Sequence, residues 1–132
     1  MISIILVSHS SKITEGLKEM IEEMTGKHEN IKIFSCGGID SERLGTDPMF
    51  ILSTIESVSK SERIYLFGDI GSAILSIHSV LELIEDEHLK EKCHYIDGPL
   101  VEGAFVASVQ CMVDSSLEAV EREVNQLKSH SN

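Results

Sequence analysis

Runs of consecutive apolar residues take turns along this chain with segments whose apolar residues recur every three or four positions, and these two periods predict alternating strands and helices. Residues 2–7, Ile-Ser-Ile-Ile-Leu-Val, are an apolar run that predicts a first strand over 2–8. Ile13, Leu17, Met20, Ile21 and Met24 share one face of a helix from about Thr14 to Met24, which Thr25-Gly26-Lys27 ends because glycine terminates helices readily. Ile31 to Phe34 predicts a short second strand, and Cys36 to Thr46 a loop carrying Gly37, Gly38 and Gly45. Thr46 or Asp47 caps a second helix with Pro48 in its first turn, where a missing N–H costs nothing. Its core face is Ile51, Leu52, Ile55 and Val58. Arg63 to Gly68 predicts a third strand, Asp69 to Ser72 a tight turn, and Ser72 to Asp86 a third helix with Ile74, Ile77, Leu81 and Ile84 in phase. Cys93 to Ile96 predicts a fourth strand, stopped by Asp97-Gly98-Pro99. Two more helices are expected, one over about Leu100 to Val113. The other is opened by a capping box, Ser115-x-x-Glu118, and carries Leu117, Val120, Val124 and Leu127 on one face.

Such alternation implies an α/β fold: one open parallel sheet with helices on both faces, in a single domain spanning residues 1–132. Right-handed crossovers restrict the strand order, and for four strands the order 2-1-3-4 is expected. Its reversal point falls between the first and third strands. His9 follows one and Asp69 the other, so the two are expected to face each other across the crevice where open sheets keep their chemistry.

Composition narrows the class. Hydrophobic residues make up 42% and charged residues 25% of 132 positions, as in an ordinary globular protein. No apolar stretch approaches the ~18–20 residues that span a bilayer, and the amino terminus lacks the basic leader of a signal peptide. Cys36, Cys93 and Cys111 are widely spaced and form no CxxC, which argues against a disulfide framework or a zinc site and fits a reducing cytoplasm. Acidic residues outnumber basic ones 22 to 11, a formal charge of −11. That charge repels nucleic acid and anionic membrane and steers the chain toward basic protein surfaces.

The chemistry expected at the carboxyl edge of the sheet starts from His9. An imidazole needs a partner on one nitrogen to leave the other free to react, and Asp69 is the candidate partner. His9 and Asp69 are thus the catalytic pair, His9 as a nucleophile forming a covalent intermediate. A phosphoryl group arriving there needs donors, and Ser10, Ser11, Gly71 and Ser72 lie at two helix starts whose free N–H groups favour anions. Gly38 and Thr46 mark the edge of the site. His28, His78, His88, His94 and His130 fall on other elements, so no metal cluster is expected. There is neither a Walker A loop nor GxGxxG, and no cofactor is expected. A reactive histidine without a nucleotide pocket suits phosphoryl transfer from another protein. On pattern alone, competing readings remain open: a polar loop residue for His9, a cap or turn for Asp69, a plain turn for Gly37-Gly38, a solvated Lys12, and packing roles for His78 and Cys36.

Four segments together carry a resemblance over nearly the whole chain. They are Val7-Ser8-His9-Ser10-Ser11-Lys12 with Glu15-Gly16-Leu17, Gly37-Gly38-Ile39-Asp40 running to Leu44-Gly45-Thr46-Asp47, Gly68-Asp69-Ile70-Gly71-Ser72-Ala73, and Gly98-Pro99-Leu100-Val101-Glu102-Gly103-Ala104. The set resembles the phosphotransfer subunit of phosphoenolpyruvate-dependent dihydroxyacetone kinase, a relative of the mannose-type enzyme IIA domains of the sugar phosphotransferase system. The resemblance implies that His9 is the phosphorylated histidine and Asp69 the acidic residue that orients it. It implies that the phosphocarrier protein HPr is the donor, and that the acceptor is ADP held on the nucleotide-binding subunit of the kinase. It also implies a homodimer. Some members carry fused carrier-like domains, and a chain ending at Asn132 is expected to use separate carriers. Rival readings are a sugar-transport enzyme IIA, a regulatory binding module switched by phosphorylation of His9, and a flavodoxin-like cofactor binder.

Overall fold

The computed structural model describes residues 1–129; His130 lies outside the described residues. β1 (Ile2–Ser8) is followed by α1 (Ser11–Thr25), β2 (Ile31–Gly37), α2 (Pro48–Ser57), β3 (Arg63–Gly68), α3 (Gly71–Leu83), α4 (Glu87–Lys92), β4 (Cys93–Tyr95), α5 (Leu100–Cys111) and α6 (Leu117–Ser129). The strands form one parallel sheet in the order β2-β1-β3-β4, as the pattern predicted. All seven residues of β1 are buried, because a central parallel strand is covered on both faces. Its alternate side chains feed two cores. Ile2, Ile4 and Leu6 join Tyr65 and Phe67 against α1, α5 and α6. Ile5 and Val7 join Ile64 and Leu66 against α2 and α3.

Several boundaries differ from the sequence reading. α1 starts at Ser11, three residues before Thr14. Of its expected apolar face, Leu17 and Ile21 are buried while Ile13, Met20 and Met24 are exposed, and Thr14 takes the remaining inward position. β2 extends to Gly37 because Ser35, Cys36 and Gly37 pair with Leu6, Val7 and Ser8 of β1, and tertiary pairing overrides their weak strand preference. The third helix ends at Leu83. Asp86, expected to close it, instead caps α4, its carboxylate accepting from the N–H groups of His88 and Leu89. Asp47, not Thr46, caps α2, accepting from Met49 N. The cap of α6 is Ser116, whose Oγ accepts from Ala119 N at 3.3 Å. Ser115 instead accepts from Arg63 through its hydroxyl and from the Tyr65 hydroxyl through its carbonyl.

The three cysteines are free and buried. Among the described residues no helix is long and apolar enough to cross a membrane.

Candidate functional site

The site forms where β1 and β3 end side by side. Val7 pairs with Gly68, so Ser8 at the end of β1 and His9 just beyond it come out beside Asp69, the residue after β3. β2 lies on the far side of β1, so the crevice at this point opens between chain segments that diverge.

Asp69 is the hub. Its Oδ1 accepts from the Ile70 N–H at 2.8 Å and lies 3.0 Å from His9 Nδ1. Its Oδ2 accepts from the Ser8 hydroxyl at 2.9 Å and from the His9 N–H at 3.1 Å. Burial alone would raise the Asp69 pKa, but hydrogen bonds from the His9 N–H, the Ser8 hydroxyl, the His9 ring and the Ile70 N–H outweigh it and hold the carboxyl below its usual range. An ionised carboxylate only accepts. His9 Nδ1 therefore carries the proton, and in the neutral ring Nε2 keeps its lone pair. Ser72 Oγ lies 2.6 Å from Nε2 and donates to it. The imidazole side chain is 26% exposed, and its Nε2 partner Ser72 is itself exposed.

The other expected site residues divide. His9, Asp69 and Ser72 are joined directly. Ser10 precedes α1 without a side-chain cap bond, and its N–H is committed to Ser8 Oγ at 3.1 Å, so only its hydroxyl remains for a ligand. The Ser11 hydroxyl donates to the Ser41 carbonyl at 3.3 Å, toward the loop. Gly71 opens α3, and a Cβ placed there would meet nothing within 4 Å. Packing therefore does not require a glycine at this position. The first N–H groups of α3, at Gly71 and Ser72, have no carbonyl within the helix to bond and face this same edge.

Gly38 and Thr46 act from behind. Gly38 has φ +74° and its N–H donates to the Ser8 carbonyl at 2.9 Å; a Cβ there would lie 2.8 Å from the Asp40 carbonyl oxygen. Glycine is required at that turn. The Gly45 N–H donates to the His9 carbonyl at 2.8 Å, so the 38–47 loop is pinned to the segment bearing the histidine. Thr46 Oγ1 is 3.1 Å from Ser76 Oγ and joins the loop to α3. Cys36 is a packing residue with its thiol pushed up by burial to about 11. His78 stacks edge-on against Tyr95 with ring centroids 5.0 Å apart. Among the described residues no group of three or more His, Cys, Asp or Glu side chains is placed to hold a metal ion.

Ser8 is a further member of the array that the sequence pattern does not mark as a site residue. It is fully buried, and its hydrogen-bond partner Asp69 lies 61 positions along the chain. Nothing local marks it; the only available signal was its place at the end of a strand bordering the reversal point.

Residues 3–121 match the family described as PTS system fructose IIA component. The chain belongs to that family. Within it, the chain is 55% identical over 124 residues to the "PEP-dependent dihydroxyacetone kinase 2, phosphoryl donor subunit DhaM" of Listeria innocua serovar 6a, covering 94% of this chain and 97% of that protein. It is 38% identical over 128 residues to the "PEP-dependent dihydroxyacetone kinase, phosphoryl donor subunit DhaM" of Providencia stuartii, covering 96% of this chain and 26% of that longer protein. The crystal structure of EF1359, a protein of unknown function, superposes with a TM-score of 0.86 at 41% identity, covering 95% of this chain and 93% of that one. These likenesses group the chain with the phosphoryl donor subunits of dihydroxyacetone kinase, and the reaction class is phosphotransfer.

Proposed function

We propose that this chain is the phosphohistidine carrier of a dihydroxyacetone kinase, taking a phosphoryl group on His9 Nε2 from phospho-HPr and passing it to ADP held on the nucleotide-binding subunit. The observation that carries this reading is the Asp69–His9–Ser72 array, in which the carboxylate occupies Nδ1 and Nε2 keeps its lone pair, met only by the hydroxyl of the exposed Ser72.

In the first step the Nε2 lone pair attacks the phosphorus of phospho-HPr. The new N–P bond forms as the bond to the donor nitrogen breaks, and the departing electron pair stays with the donor. The Nδ1 proton remains on the hydrogen bond to Asp69, whose negative charge offsets the positive charge that develops on the ring. In the second step a terminal phosphate oxygen of ADP attacks the same phosphorus, and the N–P pair returns to Nε2. Ser72 releases Nε2 and donates instead to a phosphoryl oxygen, with the hydroxyl of Ser10 and the free N–H groups of Gly71 and Ser72 as further donors.

The surroundings support transfer between proteins. Leu44 and Ile70 adjoin Gly45 and Asp69, which are both hydrogen-bonded to His9, and each is more than half exposed. Such side chains exclude water when a partner docks, which protects a labile phosphohistidine. The outward face of α5, where Val101, Phe105 and Val106 line an apolar groove with Met20 and Met24 of α1, is the contact we assign to a homodimer, measurable by light scattering. The single-domain organisation over 1–132 and a cytoplasmic location complete the reading.

The test is incubation with phosphoenolpyruvate, enzyme I and HPr, followed by intact-mass analysis and peptide mapping. An acid-labile gain of one phosphoryl group on the His9 peptide is expected, followed by its discharge onto the ADP-loaded subunit. Absence of the adduct, or its persistence in His9→Ala, overturns the assignment. Discharge only onto a sugar-transport partner makes the chain a transport enzyme IIA.

A further inference from the structure

We infer that Ser8 is a positioning residue that sets the reactive tautomer of His9 by acting through Asp69; this rests on the carrier reading of His9. Four donors reach the Asp69 carboxylate: two backbone N–H groups, the imidazole itself, and the Ser8 hydroxyl. The backbone donors are set by the chain path, and the imidazole is the group being held. Ser8 is therefore the one other side chain that determines how the carboxylate is turned.

Its own orientation is determined. Ser8 Oγ accepts from the Ser10 N–H at 3.1 Å, so its proton is directed to Asp69 Oδ2 at 2.9 Å. Ser8 is fully buried, so no solvent stands ready to replace that bond. With Oδ2 held by Ser8 and the His9 N–H, Oδ1 is left facing Nδ1. The hydroxyl also favours the ionised carboxylate, which can only accept, and so keeps the proton on Nδ1. Without Ser8 the carboxylate keeps its two backbone donors but loses the side-chain bond on Oδ2, so it holds Nδ1 less firmly and the imidazole also populates the tautomer protonated at Nε2. That tautomer has no lone pair to offer phosphorus. The Ser10 N–H would also lose its acceptor at the entry to α1.

The experiment uses the full chain with 15N-labelled histidine. Wild-type His9 is expected to show a single neutral tautomer with the proton on Nδ1, and Ser8→Ala a mixture of the two. Phosphoryl uptake from phospho-HPr should slow by about 10–100-fold, the range typical when an outer hydrogen-bond partner of a working side chain is lost. In an Asp69→Ala background the same Ser8→Ala change should add no further loss, because its route runs through the carboxylate. A wild-type tautomer and rate in Ser8→Ala, or an equal slowing in both backgrounds, overturns the inference and leaves His9 as carrier untouched. Uptake surviving His9→Ala overturns the carrier reading, while the tautomer measurement still reports on Ser8. If Ser8→Ala does not fold, Ser8→Cys replaces it. A thiol is a weaker donor of similar size, so a smaller loss of the same kind is expected, again absent in the Asp69→Ala background; an equal loss in both rejects the inference.

Discussion

The two ends of β1 each carry a buried serine, and they do opposite things with it. At the amino end Ser3 Oγ meets Ser61 Oγ at 2.7 Å; both residues are fully buried and the pair closes on itself. At the carboxyl end Ser8 begins a chain of contacts that runs through Asp69 and His9 to the exposed Ser72, leaving a ring nitrogen within reach of solvent. Both networks satisfy their buried polar groups, and among the described residues no buried side-chain N or O lacks a partner. A closed pair contributes stability, whereas a network that ends on an accessible lone pair contributes chemistry. The difference comes from position: β1 delivers its carboxyl end to the reversal point of the sheet and its amino end to the Ser61–Glu62 bend that leads into β3.

The largest effect expected at the open end is from His9→Ala, which should abolish phosphoryl uptake with little change in the thermal midpoint. Residual acid-labile phosphate on the variant would break the comparison at its centre. Asp69→Ala comes next. Loss of orientation of this kind slows transfer by about 10²-fold without removing the acceptor, and stopped-flow or quench kinetics measures it; an unchanged rate removes the carboxylate from the mechanism.

At the closed end the expected effect is thermodynamic only. Ser61→Ala strands the buried Ser3 hydroxyl and should lower stability by about 1–3 kcal/mol in urea unfolding, with the transfer rate unaltered. A rate loss there would show that the two ends are coupled.

The smallest effect is on acid stability. The folded-state pKa of Asp69 is depressed below its unfolded value of about 3.9. Its contribution is therefore complete above that value and is lost as pH falls through the lower folded-state pKa. Urea midpoints at neutral and acid pH should converge for wild type and Asp69→Asn as the carboxyl protonates; parallel profiles would mean that the four hydrogen bonds do not favour the charged form.

Much of this was legible because it depended on short stretches. The apolar runs at 2–7 and 63–68 could be little other than buried strands, and with right-handed crossovers they led to the order 2-1-3-4 and to His9 facing Asp69. What was misread depended on contacts distant in sequence. Ser35-Cys36-Gly37 has little strand preference and is drawn into β2 by pairing with β1. Ser115 reads as a cap and is instead occupied by Arg63 and Tyr65, some fifty residues earlier, so Ser116 takes the cap. α4 was hidden because the apolar phase of α3 ran on through Ile84, past the point where the helix stops.

By itself, then, the order of residues determined which segments are strands, how they stack, and which imidazole and carboxylate meet, since periodicity and chirality act locally and leave few alternatives. Only the tertiary structure decided which nitrogen of His9 is held and which is open. That choice depends on the direction of a carboxylate fixed by Ser8, His9 and Ile70 together, and hydrogen-bond direction is set by three-dimensional position, which no spacing along the chain records.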